Sequence, residues 1–185
     1  VLFLLMFLYH TAALPRPPTD NERTGNSVST VMTEFINVFR SFFQKPGIVV
    51  ALLFILFYRF GEAQLVKIAP LFMLDSYESG GLALTTGEYG FIYGTLGFIL
   101  LTAGGILGGI VASRAGLKVW IIPMALAMKL PDLVYVYMAY AQPENYTLIS
   151  ICVAIEQFGY GFGFTAFMLF LIQLSDGAHK TAHYA

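Results

Sequence analysis

Charged residues are scarce in this chain. Only 11% of its 185 residues are charged and 57% are hydrophobic, whereas a soluble globular domain has about 25% charged and about 45–50% apolar residues. The mean hydropathy of +0.72 points the same way. The composition therefore excludes a soluble enzyme domain and indicates a membrane protein.

The residues that build metal and catalytic sites are equally few. The single cysteine, Cys152, lies inside an apolar run, which excludes a disulfide framework and metal-ligand cysteine spacing. The three histidines lie in or beside polar loops, with no nucleophile and base at catalytic spacing. A net charge of −1 provides no basic excess for nucleic acid. We therefore predict no enzyme activity, no metal, no cofactor and no nucleic-acid partner.

Long hydrophobic segments separated by short polar loops fill most of the chain. A helix needs about 20 apolar residues to cross the hydrocarbon core of a bilayer. Four segments are long enough, at residues 48–74, 87–112, 119–141 and 146–173. The sequence therefore predicts four full transmembrane helices.

The residues before these segments are organised differently. Residues 1–9 are apolar but too few to cross a bilayer, so we interpret them as the end of a transmembrane helix; a signal-peptide core is the alternative. Residues 10–46 predict a polar linker followed by an amphipathic helix on the membrane surface, with Phe35, Phe39 and Phe42 on its apolar face. Because the chain begins with Val inside an apolar run, we expect it to be a piece of a longer protein.

Basic residues outside the spans all lie on one side of this topology. Seven of the ten Lys and Arg residues fall in the linker, the amphipathic helix and the loops at 113–118 and 175–180, whereas the loops at 75–86 and 142–145 have none. Loops rich in Lys and Arg stay in the cytoplasm. We therefore predict that residues 10–46 are cytoplasmic and that the first full span runs outward from the cytoplasmic face of the membrane.

Charged side chains also occur inside the predicted spans. A charge at the bilayer centre costs about 2.5–3.5 kcal/mol on insertion scales, so such residues need partners, water or a ligand. Five of them fall near mid-span, where transporters bind substrates and coupling ions, and the sixth, Lys67, can either touch substrate or extend outward to water. The six are Arg59, Glu62, Lys67, Lys129, Asp132 and Glu156.

The mid-span charges also have a structural interpretation. Arg59 and Glu62 lie three residues apart, as do Lys129 and Asp132, so each pair can neutralise itself within one helix and merely hold the bundle together. Glu156 has no basic residue in its own span, so a proton or another helix must neutralise it. That situation suits a proton-coupling group; a hydrogen-bonded structural glutamate is the alternative.

Prolines, glycines and tyrosines mark further positions in the spans. Pro70, Pro123 and Pro131 each remove a backbone hydrogen bond and can kink a span, and Pro131 lies between Lys129 and Asp132, beside the charges. Gly159, Gly161 and Gly163 predict close packing, a bend or backbone exposed to a cavity. A glycine face that we interpret as a packing surface consists of Gly90, Gly94, Gly97, Gly104 and Gly108. Tyrosines that could stack on a sugar are Tyr58, Tyr89, Tyr93, Tyr135, Tyr137 and Tyr160.

One loop carries a family motif. It has the pattern G-x-x-x-S-R-x-G-x-K, from Gly109 through Arg114 and Gly116 to Lys118. This resembles the cytoplasmic loop signature G-x-x-x-D-R-x-G-x-R/K of the major facilitator superfamily, with Ser113 in place of the acid. The resemblance implies an all-α polytopic membrane fold, the C-terminal six-helix half of a major facilitator protein. The half is truncated to the end of helix 6 (1–9), the linker (10–46) and helices 7–10 with the start of helix 11 (47–185), and the motif residues form its conformational loop.

Within that superfamily, three segments resemble the AmpG-type muropeptide permeases. FYRFGEA at 57–63 is similar to their helix 7 segment L-Y-K-L-G-D-A, with Arg59 at the Lys and Glu62 at the Asp. EQFGYGFGFTAF at 156–167 is similar to their helix 10 segment, with Glu156 and Gln157 at the Glu and Asn of its F-E-N. KTAHYA at 180–185 resembles the start of their helix 11. The resemblance covers about residues 48–185.

The AmpG resemblance implies proton-driven import of anhydro-muropeptides, which are cell-wall fragments, across the inner membrane by alternating access. The implied partners are the substrate, protons, the lipid bilayer and an N-terminal half of the same chain. The alternatives are a major facilitator transporter for a sugar, peptide, drug or acyl carrier, and a membrane protein that does not transport and holds structural ion pairs. The candidate residues for substrate binding or proton coupling are Arg59, Glu62, Lys67, Lys129, Asp132, Glu156 and Gln157.

Overall fold

A computed structural model of the chain describes residues 2–13, 28–177 and 183. In these residues every secondary-structure element is a helix, and there is no strand. The chain divides into two compact units, Val1–Arg40 and Ser41–Ala185. The predicted all-α polytopic architecture is confirmed, because four of the helices are long and apolar enough to cross a membrane.

The first unit contains α1 (Leu2–Ala13) and most of α2 (Val28–Phe43). α1 continues past residue 9, where the sequence placed the start of the linker, and the Thr11 hydroxyl donates to the Leu8 carbonyl at 2.9 Å within its last turn. Residues 14–27, the middle of the predicted linker, lie outside the described residues. The predicted amphipathic helix corresponds to α2, along which the rings of Phe35 and Phe39 lie 5.6 Å apart.

The second unit contains the four spans. They are α3 (Ile48–Leu74), α4 (Thr86–Ala115), α5 (Leu117–Ala141) and α6 (Tyr146–Ser175). Each starts or ends within a few residues of its predicted bound, and local signals explain where. Thr85 and Glu88 form a reciprocal capping box at the start of α4. Asn145 caps α6 by accepting two backbone amide hydrogen bonds, at 2.9 and 3.2 Å.

α5 is broken in its middle. Its two parts are Leu117–Lys129 and Leu133–Ala141. The break follows from Pro131, which has no amide hydrogen to continue the α-helical ladder. The next residues make tighter bonds that span three residues, such as Val134 N to the Pro131 carbonyl at 2.9 Å. Of the three prolines predicted to kink a span, Pro131 breaks its helix, whereas Pro70 and Pro123 lie inside unbroken helical stretches.

α6 packs along both α4 and α5, and its glycines allow the close approach. A Cβ at Gly161 would overlap the Leu101 carbonyl of α4, and a Cβ at Gly159 would overlap the Ala127 carbonyl of α5. Only glycine fits at such backbone contacts. Of the three predicted roles for these glycines, close packing is therefore the one observed.

The glycine face predicted on α4 is used over only part of its length. A Cβ at Gly97, Gly104 or Gly108 would crowd atoms of α6, whereas Gly90 and Gly94 have no described atom within 4 Å of that position. Both of these glycines lie in a π-helical segment of α4, Gly90–Gly97. The wider π turns rotate them off the face that an ordinary α-helix would give them.

Candidate functional site

Three membrane-spanning helices of the second unit bring ionisable side chains together. α3 contributes Glu62, α5 contributes Lys129 and Asp132 at its break, and α6 contributes Glu156. One carboxylate oxygen from each of the three acids lies within 4.8 Å of the others. Glu62 and Glu156 are each only 2% exposed. These four residues are called the charge cluster below.

Lys129 forms the ion pairs of the charge cluster. Its Nζ lies 2.9 Å from Glu62 Oε2 and 3.6 Å from Asp132 Oδ2. The Lys129–Asp132 pair was anticipated from their spacing, but the suggested pair between Arg59 and Glu62 is wrong, since Glu62 pairs across to α5. Positions three apart on a helix point about 60° apart. That angle lets Glu62 face α5 while Arg59 faces α6.

The charge cluster holds more acids than bases. If all its groups were ionised, three carboxylates and one ammonium would give the cluster a net charge of −2, and Glu156 would have no cation in contact. Buried charges are unfavourable unless they are paired, hydrogen-bonded or neutralised by a proton. Three carboxylates could also hold a metal ion, but Lys129 already contacts two of them, so a metal would compete with a fixed positive charge. The arrangement therefore suits proton exchange better than metal binding.

Glu156 is held by neutral donors. Tyr135 OH donates to its Oε2 at 3.3 Å, and Gln157 Nε2 donates to the same oxygen at 2.9 Å. Tyr135 OH in turn hydrogen bonds with Tyr93 OH of α4. No Lys or Arg among the described residues lies within ion-pair distance of Glu156. A proton can therefore reach or leave this carboxyl group without breaking an ion pair.

Arg59 lies against aromatic rings of α6. Its guanidinium carbon is 5.2 Å from the centre of the Phe164 ring and 5.8 Å from that of Phe167. Its Nη1 donates to Tyr160 OH at 3.1 Å. Within the described part of the chain no carboxylate pairs with it, and a guanidinium has five N–H donors. The remaining donors can bind an anionic group.

Curated proteins of three Rickettsia species match this chain. A protein of Rickettsia conorii named "Putative transporter AmpG 4" is 28% identical over 159 residues, and one of the same name in Rickettsia felis is 29% identical over 150 residues. "Putative transporter AmpG 3" of Rickettsia prowazekii is 25% identical over 143 residues. The chain is similar to AmpG-named transporters. The AmpG resemblance indicated by the motifs is thereby confirmed.

The AmpG matches cover most of this chain but a minor part of each relative. They include 86%, 81% and 77% of this chain, and 37%, 34% and 32% of the three relatives. The chain thus spans about a third of the length of the AmpG relatives it matches. No family model and no solved structure matches it.

The loop motif behind the major facilitator resemblance forms the junction between α4 and α5. Gly116 is the one residue between these helices, and its φ of +81° favours glycine. Ser113, at the position of the motif's acid, donates to the Ile110 carbonyl at 2.8 Å in its own helix. Arg114 and Lys118 are exposed, and neither forms an ion pair with another described residue. The junction is therefore tight, with both basic side chains directed outward.

Two other candidate residues lie away from the charge cluster. Lys67 is exposed on α3 and has no ion-pair partner in the described ranges. Gly109 borders a cavity of about 290 Å³ between the α4–α5 junction and α6, which Thr165 and Gln173 also line. Neither residue adds a side chain to the charge cluster.

Two features of the site were missed by sequence reasoning. The ion pair between Glu62 and Lys129 joins different helices, and spacing along the chain does not show which faces of two helices meet. Tyr93 and Tyr135 were named only as sugar-stacking candidates, whereas they are linked by hydrogen bonds to Glu156. One signal was present, because Tyr135 lies three residues after Asp132 and so belongs with the mid-span charges.

Proposed function

We propose that this chain is part of a proton-coupled secondary transporter that imports anhydro-muropeptides across the inner membrane by alternating access. The charge cluster carries the proposal, because carboxyl groups from three membrane-spanning helices converge beside one lysine. Ionisable groups inside a membrane are costly and by default mark substrate, ion or proton pathways. The similarity to AmpG-named transporters supports a transport role for the cluster.

The proposal makes the chain one half of a larger helical bundle. Residues 1–9 would end helix 6, residues 10–46 would form a cytoplasmic linker with an amphipathic helix, and residues 47–185 would form helices 7–10 and the start of helix 11. The one-sided distribution of Lys and Arg supports this orientation. The length of the AmpG relatives, of which this chain spans about a third, supports a larger transporter to which the proposed N-terminal half would belong.

Glu156 is the proposed proton-coupling group. Its two hydrogen-bond donors, Tyr135 and Gln157, are neutral, so its charge can change without loss of an ion pair. Uptake of a proton removes one negative charge from the charge cluster, and release restores it. Transporters of this kind alternate the access of a central site between the two sides of the membrane. The two charge states of Glu156 supply the difference that such a cycle needs.

Arg59 and Lys129 are the proposed contacts for an anionic group of the substrate, such as a peptide carboxylate. A guanidinium can bind a carboxylate through two parallel N–H donors. Phe164 and Phe167 lie against the guanidinium of Arg59 and restrict its orientation. Lys129 is partly exposed at 30% and can reach a ligand while it stays near Glu62.

Uptake measurements test this function. Labelled anhydro-muropeptide is offered to proteoliposomes that contain the full-length protein, with and without an inward proton gradient. We expect uptake that requires the gradient, and loss of that requirement or of uptake in Glu156→Gln. Glu144→Gln, which changes an exposed carboxyl group in a polar turn, is the matched control and should keep gradient-driven uptake. Unchanged gradient-driven uptake in Glu156→Gln would contradict the assigned proton site.

The same assay separates the alternative functions. Gradient-driven uptake of a sugar, peptide, drug or acyl carrier, without uptake of muropeptide, would keep the transport role and change the substrate. No uptake of any of these by folded protein would favour a membrane protein in which the ion pairs are structural.

A further inference from the structure

Eight consecutive residues of α4, Gly90–Gly97, form a π helix. π-helical turns are rare and are frequently found at functional sites. Compared with a regular α-helix over the same residues, this segment changes which side chains face the rest of the bundle. Gly90 and Gly94 are turned toward open space, whereas Tyr93, between them, contacts Tyr135 of α5.

Tyr93 begins a chain of hydroxyl groups that ends at Glu156. Its hydroxyl hydrogen bonds with Tyr135 OH, which donates to Glu156 Oε2 at 3.3 Å. A tyrosine hydroxyl has a single hydrogen to donate. Since Tyr135 uses its hydrogen on Glu156, Tyr93 must be the donor in the contact between the two tyrosines. Once Glu156 Oε2 carries a proton, it can donate to Tyr135 OH, and Tyr135 OH can then donate to Tyr93 OH. The direction of every hydrogen bond in this hydroxyl chain is then reversed.

The other helices around Glu156 present ionisable groups of both signs, so the tyrosines do not act alone. The carboxylates of Glu62 and Asp132 repel a negative charge on Glu156, and Lys129, which contacts both of them, reduces that repulsion. α4 has no acid or base within ion-pair distance of this group in the described structure. The titratable groups that the described structure places on this side of the bundle include Glu62 of α3, Tyr89 and Tyr93 of α4, Lys129, Asp132 and Tyr135 of α5, and Cys152 of α6.

We infer that Tyr93 and Tyr135 are positioning residues for Glu156, and that the π-helical segment holds Tyr93 where it completes the hydroxyl chain. The inference rests on the proposed function, in which Glu156 takes up and releases a proton. In a regular α-helix, one residue of register rotates a side chain by about 100° about the helix axis. Loss of the π turn would therefore move Tyr93 away from Tyr135 and break the hydrogen bond between the two hydroxyl groups. The hydroxyl chain links the geometry of α4 to the protonation of Glu156.

Infrared difference spectroscopy of the full-length protein tests the two tyrosines. The C=O stretch of protonated Glu156 is identified by its absence in Glu156→Gln and is then titrated in each variant. Tyr135→Phe removes a donor to the ionised carboxylate, so the midpoint of this band should move to higher pH by about 0.5–1 unit. Tyr93→Phe acts one bond further away and should move it in the same direction by less. Tyr140→Phe, on α5 and 94% exposed, is the matched control and should leave the midpoint unchanged.

Deletion of Gly94 tests the π-helical segment. Tyr93 would then take the place of Gly94, which faces open space. The deletion should reproduce the midpoint shift of Tyr93→Phe, and adding Tyr93→Phe to it should cause no further shift. If the midpoint shifts of the Gly94 deletion and of Tyr93→Phe add in the double variant, the π-helical segment does not act through the hydroxyl chain. Where the deletion variant does not fold, the tyrosine variants decide the inference.

The outcomes of these titrations separate the inference from the proposed function. Midpoints in Tyr135→Phe and Tyr93→Phe equal to that of Tyr140→Phe would overturn the inference, even with gradient-driven uptake intact. A tyrosine with a purely structural role would reduce the yield of folded protein without moving the midpoint. Shifted midpoints together with uptake that ignores the gradient would overturn the proposed function, and with it the role of Glu156 that the tyrosines serve.

Discussion

Replacement of Lys129 by methionine should destabilise the bundle strongly. It removes the cation 2.9 Å from Glu62 and 3.6 Å from Asp132, and Glu62 is only 2% exposed. Removal of one partner of a buried ion pair costs about 3–5 kcal/mol. Because the Lys129 side chain is 30% exposed, the lower end applies. We expect a loss of about 3 kcal/mol in the free energy of unfolding, which is about a hundredfold in the equilibrium constant.

The pH dependence of this loss follows from the acid left behind. A glutamate in water has a pKa of about 4.3, so protonating one costs about 3.7 kcal/mol at pH 7 and about 1 kcal/mol at pH 5. Protonation neutralises the unpaired carboxyl group and sets an upper limit on the penalty. The destabilisation of Lys129→Met should therefore shrink as the pH falls from 7 to 5.

Denaturant unfolding of the full-length protein in detergent measures these values. Lys118→Met is the matched control, because Lys118 is an exposed lysine of the same helix and its loss should change the unfolding free energy by less than about 0.5 kcal/mol. Glu62→Gln added to Lys129→Met should recover most of the loss, since an amide carries no charge. Equal effects of Lys129→Met and Lys118→Met would refute the reasoning and show that Glu62 does not depend on the lysine.

Two further changes test the packing of α6 and the contacts of Arg59. Gly161→Ala places a Cβ against the Leu101 carbonyl and should lower the unfolding free energy by about 1–3 kcal/mol. Gly109→Ala, with no described atom within 4 Å of the new Cβ, should not lower it, and equal losses in thermal or denaturant unfolding would contradict the close packing. Arg59→Lys keeps the charge but loses the planar contact with Phe164 and the two-pronged donation. It should raise KM for an anionic substrate about 2–30-fold with little change in kcat, and an unaltered KM in the uptake assay would remove Arg59 from the binding site.

The membrane made much of this fold predictable from the sequence. A span must be apolar over about 20 consecutive residues, so it can be recognised from one continuous segment of the sequence. The four spans begin and end close to their predicted bounds. The break at Pro131 was predictable as a possibility for a similarly local reason, since proline lacks the amide hydrogen, although Pro70 and Pro123 lack it too and lie inside unbroken helices. Such features depend on neighbours in the sequence and need no knowledge of the bundle.

The arrangement of the site depends on which helix faces meet, and this was less predictable. The depth of Glu62, Lys129 and Glu156 in the membrane follows from counting residues, but the pairing of Glu62 with Lys129 depends on the rotation of α3 about its axis. The π-helical segment could not be predicted from the sequence for another reason. Gly90 and Gly94 keep the spacing of an ordinary α-helical face, and no residue in the segment marks a wider turn.

The backbone contacts at the glycines of α6 bear on how this unit can change shape. A carbonyl seated against a glycine permits little sliding, because a shift along the helix brings a side chain to the same place. α4, α5 and α6 should therefore behave as one rigid body. α3 is tied to that body through side chains, by Tyr58 OH to the Gly163 carbonyl at 2.8 Å, by Arg59 Nη1 to Tyr160 OH at 3.1 Å and by Glu62 to Lys129 at 2.9 Å. Side-chain links of this kind can open and close, so motion inside the unit should be concentrated at α3, and a covalent cross-link between positions 62 and 129 should arrest it.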